Sequence, residues 1–545
     1  MTGRTARLSR LVTALVVASG CLLLGVRAGA AAPPVPTWTG GEPLPKAPGL
    51  GLKRNQDAEP GMGVAPDGQL WVSSNVPRYA ADDPRAFERI SGADIWTSTD
   101  NGRTFRWVAD PFRSAKKTAG LAGSDTDIAV APVKNAQGFY NVYAASLWIG
   151  ASTLAWSTDG GKTWQRFNLG GVPAQDRPWV AASGACVVYL AYHQVPTLTP
   201  VANKYNVCNV ADTSTGIVLD PVDSTLISLS TFPGLTNYFG KWAVDNSTSQ
   251  YAGNIYLPMT VCTAEELLDV PVNLEASLEE PCPKNTEQVV AVSADQGVTW
   301  HAYHVATSPN GYFIIWPNTV AVDSKGVVYF TWTDNLHSYI NVSRDGGKQW
   351  SATKRLNTPP SSSAVYPQVA ADRPGVVDVA WYGSAKAGDA NDPETFGPPG
   401  KATSTPWYVF HARSFDGGRT FVRSRATGVI HHGWVCTQGT ACPTDGSRNL
   451  LDNFGIAVSP KTGFATIAYT SDQPDGTAGH SFSGFTTMTS SPSPGGRASP
   501  GGTTAKPGLA ATGGLPLAGV ACLAVLAALL LRGRRRHRSR LTSAR

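Results

Sequence analysis

Charged and aromatic residues recur at one position of a repeated sequence pattern, directly before the first strand of a predicted hairpin. The candidates for catalysis at this position are Glu59, Asp127, Asp176, Arg177 and Tyr366, and the candidates for binding are Lys241, Trp316, Asp452 and Asn453. Carboxylates, cations and rings that converge in one funnel suit a sugar, whose hydroxyls pair with charges and whose apolar faces stack on rings. The alternative is a water-lined channel with ordinary salt bridges.

The pattern that positions these residues is a strand, a tight turn and a second strand. It occurs seven times, starting at Gly61, Asp127, Trp179, Trp242, Asn318, Pro367 and Gly455. The chain has 56 Gly, 40 Pro and only 15% charged residues, a composition that favours short strands joined by tight turns. The sequence therefore predicts an all-β protein.

A second motif, Ser-x-Asp-x-Gly-x-x-aromatic, occurs five times. Its aspartates are Asp100, Asp159, Asp295, Asp345 and Asp416. In a hairpin turn, the Ser and Asp side chains can bond backbone groups, Gly supplies a positive φ, and the aromatic residue begins the returning strand. Acid catalysis is the alternative role for each Asp, but an enzyme seldom needs five identical catalytic sites. We therefore expect each Asp to stabilise its own turn through hydrogen bonds.

This motif resembles the Asp-box, or bacterial neuraminidase repeat, of sialidase-like β-propellers. The resemblance implies four-stranded antiparallel blades, with the seven hairpins as inner strands and the Asp-box hairpins as outer strands. Seven hairpins predict seven blades in a domain of residues 34–488; six, the usual sialidase number, is the alternative. The segment Pro36–Gly41 resembles other returning strands, and with the strand Ser481–Met488 it would complete blade seven and remove the exposed edge.

Sialidases use an arginine triad to grip a carboxylate, a tyrosine nucleophile activated by glutamate, and an aspartate as acid/base. Their aromatic-Arg-Ile-Pro signature is absent here, where the equivalent stretch is Asp57–Gly61. Arg54 and Arg177 are present without a clear third arginine, and Tyr366 with Glu59 is a conceivable nucleophile pair. Two functions stay open: a sialidase-like glycoside hydrolase or lyase, and a non-catalytic adhesion or protein-binding module.

Both ends of the chain resemble targeting segments. Residues 1–30 resemble a secretory signal peptide, with an uncleaved anchor as the alternative. Residues 489–508 form a Ser/Pro/Gly-rich linker, and residues 509–545 hold the pentapeptide Leu-Ala-Ala-Thr-Gly, an apolar stretch at 514–531 and an arginine-rich tail. This order resembles a sortase sorting signal, which implies cleavage between Thr512 and Gly513 and attachment to a peptidoglycan precursor. A permanent single-span membrane anchor is the alternative.

A secreted chain with an even number of cysteines suggests disulfides. Our preferred scheme pairs them sequentially as Cys186–Cys208, Cys262–Cys282 and Cys436–Cys442. Metal binding is the alternative, although no CxxC motif is present. Long insertions at 262–282, 383–406 and 430–449, the last with His431 and His432, should lie on the face opposite the Asp-boxes.

Charge and missing motifs exclude other classes of function. Eleven arginines lie in residues 1–30 and 513–545, and residues 31–512 hold 34 basic and 39 acidic groups, so nucleic acid is not an expected partner. P-loop, HExxH and GxSxG motifs are absent. We expect no cofactor, with a structural cation left open, and partners that are an extracellular glycan or surface protein.

Overall fold

Seven antiparallel sheets follow one another along the chain and form the blades of a β-propeller. The structure is a computed structural model. It describes residues 35–49, 51–75, 92–112, 124–148, 151–168, 175–194, 199–208, 211–213, 216–218, 223–226, 234–263, 286–308, 318–439, 442–474, 476 and 480–491. The predicted signal peptide, Trp316, Cys282, Thr512, Gly513 and the apolar stretch 514–531 lie outside these residues.

Two short strands precede the blades, β1 (Thr37–Trp38) and β2 (Glu42–Pro43). Blade one contains β3 (Ala58–Val64), β4 (Leu70–Asn75), β5 (Ala93–Ser98) and β6 (Arg106–Ala109). Blade two contains β7 (Thr126–Lys134), β8 (Tyr140–Trp148), β9 (Ala151–Ser157) and β10 (Gln165–Asn168). Blade three contains β11 (Gln175–Ser183), β12 (Val187–Gln194), β13 (Thr199–Asn206) and β16 (Asp223–Leu226), with the hairpin β14 (Ala211–Thr213) and β15 (Gly216–Val218) before β16.

Blade four has a divided innermost strand, β17 (Gly234–Phe239) and β18 (Ala243–Val244), followed by β19 (Ile255–Thr263), β20 (Thr286–Ser293) and β21 (His301–Ser308). Blade five contains β22 (Thr319–Val322), β23 (Val328–Thr333), β24 (Ser338–Ser343) and β25 (Lys354–Arg355). Blade six contains β26 (Ser363–Ala371), β27 (Val377–Ser384), the helix α1 (Pro393–Phe396), β28 (Pro406–Ser414), β29 (Val422–Arg425) and β30 (His431–His432). Blade seven contains β31 (Gly455–Val458), β32 (Ala465–Ser471) and β33 (Phe482–Ser490).

The blades form a closed ring. The innermost strands contact one another in the order β3, β7, β11, β18, β22, β26, β31 and back to β3. The N-terminal strand β1 completes blade seven, because Thr37 pairs with Ser490 and Trp38 with Met488. Seven blades and this closure were both predicted, and the alternative of six blades is excluded.

Hydrophobic contacts between adjacent blades hold the ring together. Successive residues of a strand point to opposite faces of its sheet, so both faces of a blade can be apolar. Among the described residues, seven buried clusters each join one pair of neighbouring blades. Trp71, for example, packs from blade one against Ile128 and Val142 of blade two. Burial of such large side chains dominates the stability of the fold.

The Asp-box turns join the third and fourth strands of blades one, two, four, five and six. At Asp159, one carboxylate oxygen accepts hydrogen bonds from Ser157 Oγ at 2.9 Å and from the backbone of Lys162 and Thr163 at 3.0 Å. The other accepts from Thr163 Oγ1 at 2.6 Å. Burial raises the pKa of Asp159, but these hydrogen bonds together outweigh it and hold the pKa below its usual value. The carboxylate therefore stabilises its own turn through hydrogen bonds.

Two of the three predicted disulfides are present, Cys186–Cys208 and Cys436–Cys442. The third involves Cys282, outside the described residues. In the described part of the chain, no helix is long and apolar enough to cross a membrane.

A substitution at Gly161 tests the contact between the Asp-box of blade two and the neighbouring blade one. Both Gly160 and Gly161 have positive φ, but a Cβ on Gly161 would meet the Trp71 ring at 2.6 Å, whereas one on Gly160 would meet Phe139 at 3.2 Å. We expect Gly161→Ala to lower the free energy of unfolding by about 3 kcal/mol, from the strained φ plus the clash. The matched Gly160→Ala should lose about 1 kcal/mol. Urea denaturation measures both, and equal losses would contradict the packing described.

Candidate functional site

Three innermost strands carry the same irregularity near their start, a non-glycine residue with positive φ followed by proline. These residues are Glu59 (φ 52°), Arg177 (φ 51°) and Tyr366 (φ 56°). Each lies where the pairing register with the second strand of the blade shifts. Proline has no N–H to donate, which suits an interrupted ladder. A left-handed non-glycine residue costs on the order of 1–3 kcal/mol and persists only where its surroundings fix it.

Asp452 connects two of these strands, those of Glu59 and Arg177, at the mouth of the central channel. Its carboxylate accepts hydrogen bonds from Arg177 Nη2 at 3.0 Å and Arg448 Nη2 at 2.6 Å. Its backbone N–H donates to Glu59 Oε1 at 3.0 Å. Burial raises the pKa of Asp452, but the two guanidinium groups outweigh it and hold the pKa below its usual value. Asp452 therefore joins blades one and three to the segment that leads into blade seven.

Glu59 is a buried carboxyl group within the same network. Besides the bond from Asp452, its Oε2 accepts a hydrogen bond from Asn75 Nδ2 at 2.7 Å. Burial raises its pKa well above the usual value, and the charges of Asp125 and Asp452 raise it further. The protonated form of Glu59 is therefore favoured.

Asp176 and Asp125 form a carboxyl pair beside this network. Burial and the charge of Asp125 raise the pKa of Asp176 to about 7, although Arg177, whose Nε lies 3.8 Å from Asp176 Oδ2, lowers it in part. The Asp176 side chain is 26% exposed, so solvent reaches it. The negative charge of Asp125 favours the protonated form of Asp176. The mouth thus contains a partly exposed carboxyl group with a raised pKa.

Asp125 was missed by the sequence analysis, which placed the blade-two candidate at Asp127. The predicted hairpin began at Asp127, whereas β7 begins at Thr126, so the residue that precedes the strand is Asp125. The two aspartates are two residues apart and thus on the same side of the chain, one step apart along the channel. Asp127 therefore lies within β7, and Asp125 is the aspartate that directly precedes the strand.

Asp127 and Lys241 instead form an ion pair one step inside the mouth. Lys241 Nζ lies 2.6 Å from Asp127 Oδ1 and also donates to Met62 O at 3.1 Å, and Val180 N donates to Asp127 Oδ2 at 3.1 Å. Burial raises the pKa of Asp127 and Lys241 offsets only part of the rise. These contacts link blades one to four.

Tyr366 is completely buried, and its ring packs edge-on against Tyr382 at a centroid distance of 6.0 Å. Burial raises the pKa of Tyr366 well above its usual value, and the charge of Asp452 raises it further. A neutral, buried phenol is a poor nucleophile in this conformation. Trp316, the other aromatic candidate, lies outside the described residues.

The cleft at the mouth is narrow. It is lined by Glu59, Asp125, Thr126, Arg177, Pro178, Trp179 and Asn453. Its free volume is about 10 Å³, which is room for about one water molecule. Any larger group must bind above this cleft, where Asp125 and Asp176 are partly exposed.

The segment 430–449, predicted as a long loop on this face, carries Arg448 and is anchored by His431. The buried His431 ring contacts Asp472 Oδ2 through Nδ1 at 2.7 Å and Trp434 O through Nε2 at 3.2 Å. Asn449 Nδ2 donates to the same Asp472 oxygen at 3.0 Å. Because both ring nitrogens face acceptors, the imidazolium form satisfies both contacts. Burial lowers the pKa of His431, but Asp472 outweighs it and raises the pKa overall.

The arginines of the mouth are already paired. Arg177 and Arg448 both bind Asp452, and Arg448 was not identified from sequence because it lies inside a loop and not before a strand. Arg54 donates to Gln473 O at 2.8 Å and His480 O at 3.1 Å, with its guanidinium 4.6 Å from the Phe482 ring centroid. Within the described ranges, no cluster of three His, Cys, Asp or Glu residues could hold a metal ion.

The stability of the 430–449 segment should depend on pH. A His pKa raised by folding stabilises the protein fully below the unfolded pKa, and that stabilisation is lost as pH rises through the folded value. We therefore expect His431→Gln to lower the free energy of unfolding by about 3 kcal/mol at pH 6, because it leaves a buried carboxylate without its ion-pair partner, and by less at pH 9.

Urea unfolding of both proteins at the two pH values measures this difference. His432→Gln is the matched control, because the His432 ring contacts Ser404 O at 3.0 Å and no carboxylate in the described contacts. That variant should leave the pH dependence unchanged. A His431→Gln deficit of the same size at pH 6 and pH 9 would contradict a charged His431.

A comparison with known protein families agrees with the repeat. A model of the BNR/Asp-box repeat matches residues 155–166. No curated protein matches the chain significantly. Similar solved structures include a protein of unknown function from Dyadobacter fermentans, at 13% identity and a TM-score of 0.40, covering 84% of this chain and 99% of that one.

Two enzymes of known activity are also similar in structure. One is a leech intramolecular trans-sialidase complexed with 2,7-anhydro-Neu5Ac, at 12% identity and a TM-score of 0.37, covering 81% of this chain and 68% of that one. The other is an α-L-arabinanase from Penicillium chrysogenum complexed with arabinobiose, at 10% identity and a TM-score of 0.41. The match covers 83% of this chain and 98% of the arabinanase chain. No ligand of this chain follows from likenesses at this level.

Proposed function

We propose that the mouth of the propeller hydrolyses glycosidic bonds of an extracellular glycan, with Asp176 as the proton donor. The observation that carries this proposal is Asp176 itself, a partly exposed carboxyl group at the mouth whose pKa is raised to about 7 by burial and by the neighbouring Asp125. Glycosidic cleavage requires a carboxylic acid whose pKa lies near the working pH, because the departing oxygen must be protonated.

In the proposed reaction, Asp176 donates its proton to the glycosidic oxygen while the bond from that oxygen to the anomeric carbon breaks. A water molecule adds to the anomeric carbon, and one of its protons restores the protonated pair. Asp125 raises the pKa of Asp176 through its negative charge. Glu59 is a positioning residue, since both of its oxygens accept hydrogen bonds from Asn75 and Asp452.

The charge balance of the mouth favours a neutral sugar over a sialic acid. A sialidase grips its substrate carboxylate with arginines, but here the Asp452 carboxylate binds both Arg177 and Arg448. A substrate carboxylate would have to compete with this buried pairing, whose disruption costs several kcal/mol. A neutral glycan needs only hydrogen bonds to its hydroxyls from Asp125, Asp176 and Asn453.

A second candidate, a non-catalytic binding module, is favoured by the small size of the cleft. Free volume for about one water leaves a glycan or surface protein to bind at the rim above the cleft, without entering it. The two candidates differ in turnover, because only the hydrolase releases product from a glycoside.

The setting that we propose for this activity is the outside of the cell. The arrangement of signal-like, linker and sorting-like segments in residues 1–30 and 489–545 supports secretion and attachment to the wall by a sortase, with a membrane anchor as the alternative. The two disulfides within the domain fit an oxidising compartment.

Asp176→Asn tests the proposed acid. The purified protein should release dye from at least one neutral fluorogenic glycoside in a panel, with activity falling as pH rises through about 7, because the acid must be protonated. Asp176→Asn should lower kcat by about 100-fold or more without a change in melting temperature. Asp125→Asn should move the alkaline limb of the pH profile to lower pH.

The matched control is Asp372→Asn. Burial also raises the pKa of Asp372, but this residue lies in the turn after β26, at the other end of the innermost strand. It should leave kcat unchanged. Glycan-array binding without turnover in the wild type would favour the binding module, and full activity in Asp176→Asn would refute the assigned acid.

A further inference from the structure

A groove on the face opposite the mouth combines a large free volume with positive charge. It lies between the outer strands of blade five and the Asp-box of blade six, with a volume of about 550 Å³. We call it the basic groove and define it by Ile340, Val342, Arg344, Trp350, Lys354 and Arg419. Pockets that hold small ligands have volumes of this order.

The surroundings of the basic groove are much more positive than the rest of the domain. Residues 344–355 and 416–425 hold seven basic side chains, namely Arg344, Lys348, Lys354, Arg355, Arg419, Arg423 and Arg425. Six of the seven are exposed, and Arg423 is half-buried. The segments contain two acidic residues, Asp345 and Asp416, whereas residues 31–512 as a whole are net acidic.

The two acidic side chains are occupied by their own turns. Asp345 accepts hydrogen bonds from Ser343 Oγ at 2.8 Å and Gln349 N at 2.9 Å. Asp416 accepts from Ser414 Oγ at 2.8 Å and Thr420 Oγ1 at 2.7 Å. Both carboxylates therefore accept hydrogen bonds from donors in their own turns. The electrostatic field at the groove is dominated by the Lys and Arg side chains.

The cations of the groove are held in place across it. Arg344 Nη2 donates to Gly417 O at 2.9 Å, and Lys354 Nζ donates to Arg419 O. Lysine carries three N–H donors and arginine five, so one bond to a carbonyl leaves donors for an anion. Side chains that are already fixed lose less conformational entropy when a ligand binds.

We propose that the basic groove binds a short stretch of an acidic polysaccharide. Its carboxylate or sulfate groups contact Arg344, Lys354 and Arg419, and the apolar face of a sugar ring packs against Trp350 and the floor formed by Ile340 and Val342. This site is separate from the mouth, so it would let the protein hold an anionic glycan independently of the proposed hydrolysis.

Other polyanions fit the groove less well. Single-stranded nucleic acid binds on successive aromatic platforms, whereas Trp350 is the one aromatic side chain among the described residues that line the groove. A membrane surface calls for exposed apolar residues next to the cations. The exposed large hydrophobic residues of the described chain are Val35, Val133 and Val298, and none of them lines the groove.

Charge reversal tests the proposal. The full-length protein should bind polygalacturonate and not neutral dextran, and the affinity should fall as salt rises. Lys354→Glu/Arg419→Glu should weaken binding of polygalacturonate by about tenfold or more at low salt, because two attractive charges become repulsive. If that variant does not fold, Lys354→Gln/Arg419→Gln should still weaken binding by about threefold.

The matched control is Arg103→Glu/Arg106→Glu. Arg103 occupies the same position in the blade-one Asp-box as Arg419 does in blade six, and both control residues are exposed. This control should keep wild-type affinity for polygalacturonate. Unchanged binding in the Lys354/Arg419 variants would overturn the proposal and place the polyanion elsewhere. Equal binding of dextran, or tighter binding of single-stranded oligothymidine than of polygalacturonate, would also overturn it.

Discussion

The mouth of the propeller depends on the buried ion pairing of Asp452 with Arg177 and Arg448. One arginine comes from blade three, the other from the loop before blade seven, and the Asp452 backbone holds Glu59 of blade one. A buried carboxylate with two guanidinium partners is stable only while both remain in place. The same interaction therefore fixes the shape of the mouth and neutralises the arginines that would otherwise attract an anion.

The backbone at the mouth is strained at several of the residues and segments that this ion pairing holds in place. Glu59, Arg177, Tyr366 and Leu451 all adopt left-handed conformations, each at a cost on the order of 1–3 kcal/mol. The apolar contacts between adjacent blades and the hydrogen bonds of the Asp-box turns offset this cost elsewhere in the ring. Such a division, with a rigid ring and strained residues at one opening, is typical of sites that must present polar groups in fixed positions.

The fold was predictable because its signals are local. Each hairpin and each Asp-box is specified by residues close together in sequence, and the closure by Trp38 could be predicted because its segment resembles the other returning strands. The site was predictable in part: Glu59, Arg177 and Asp452 are in direct contact through one network, and Asp176 lies beside it. Asp127 and Lys241 were expected there as well but pair with each other deeper in the channel.

The misses have physical reasons. Asp125 was overlooked because strand β7 begins one residue before the hairpin pattern does, and Arg448 because a loop brings it back to the mouth from outside any strand. A stronger sequence signal exists: Glu59, Arg177 and Tyr366 each precede a proline at the start of an innermost strand, and so does Trp316 in sequence. Proline there marks the interrupted ladder that turns a side chain out of the strand.

The most direct test of a mouth that holds a proton near neutral pH is an infrared titration of the protein without ligand. The carboxylic acid stretching band that is present in the wild type and absent in Asp176→Asn should disappear with a midpoint at about pH 7. If the wild type and Asp176→Asn show the same band above pH 5, Asp176 is an ordinary ionised aspartate and the account of the site is wrong.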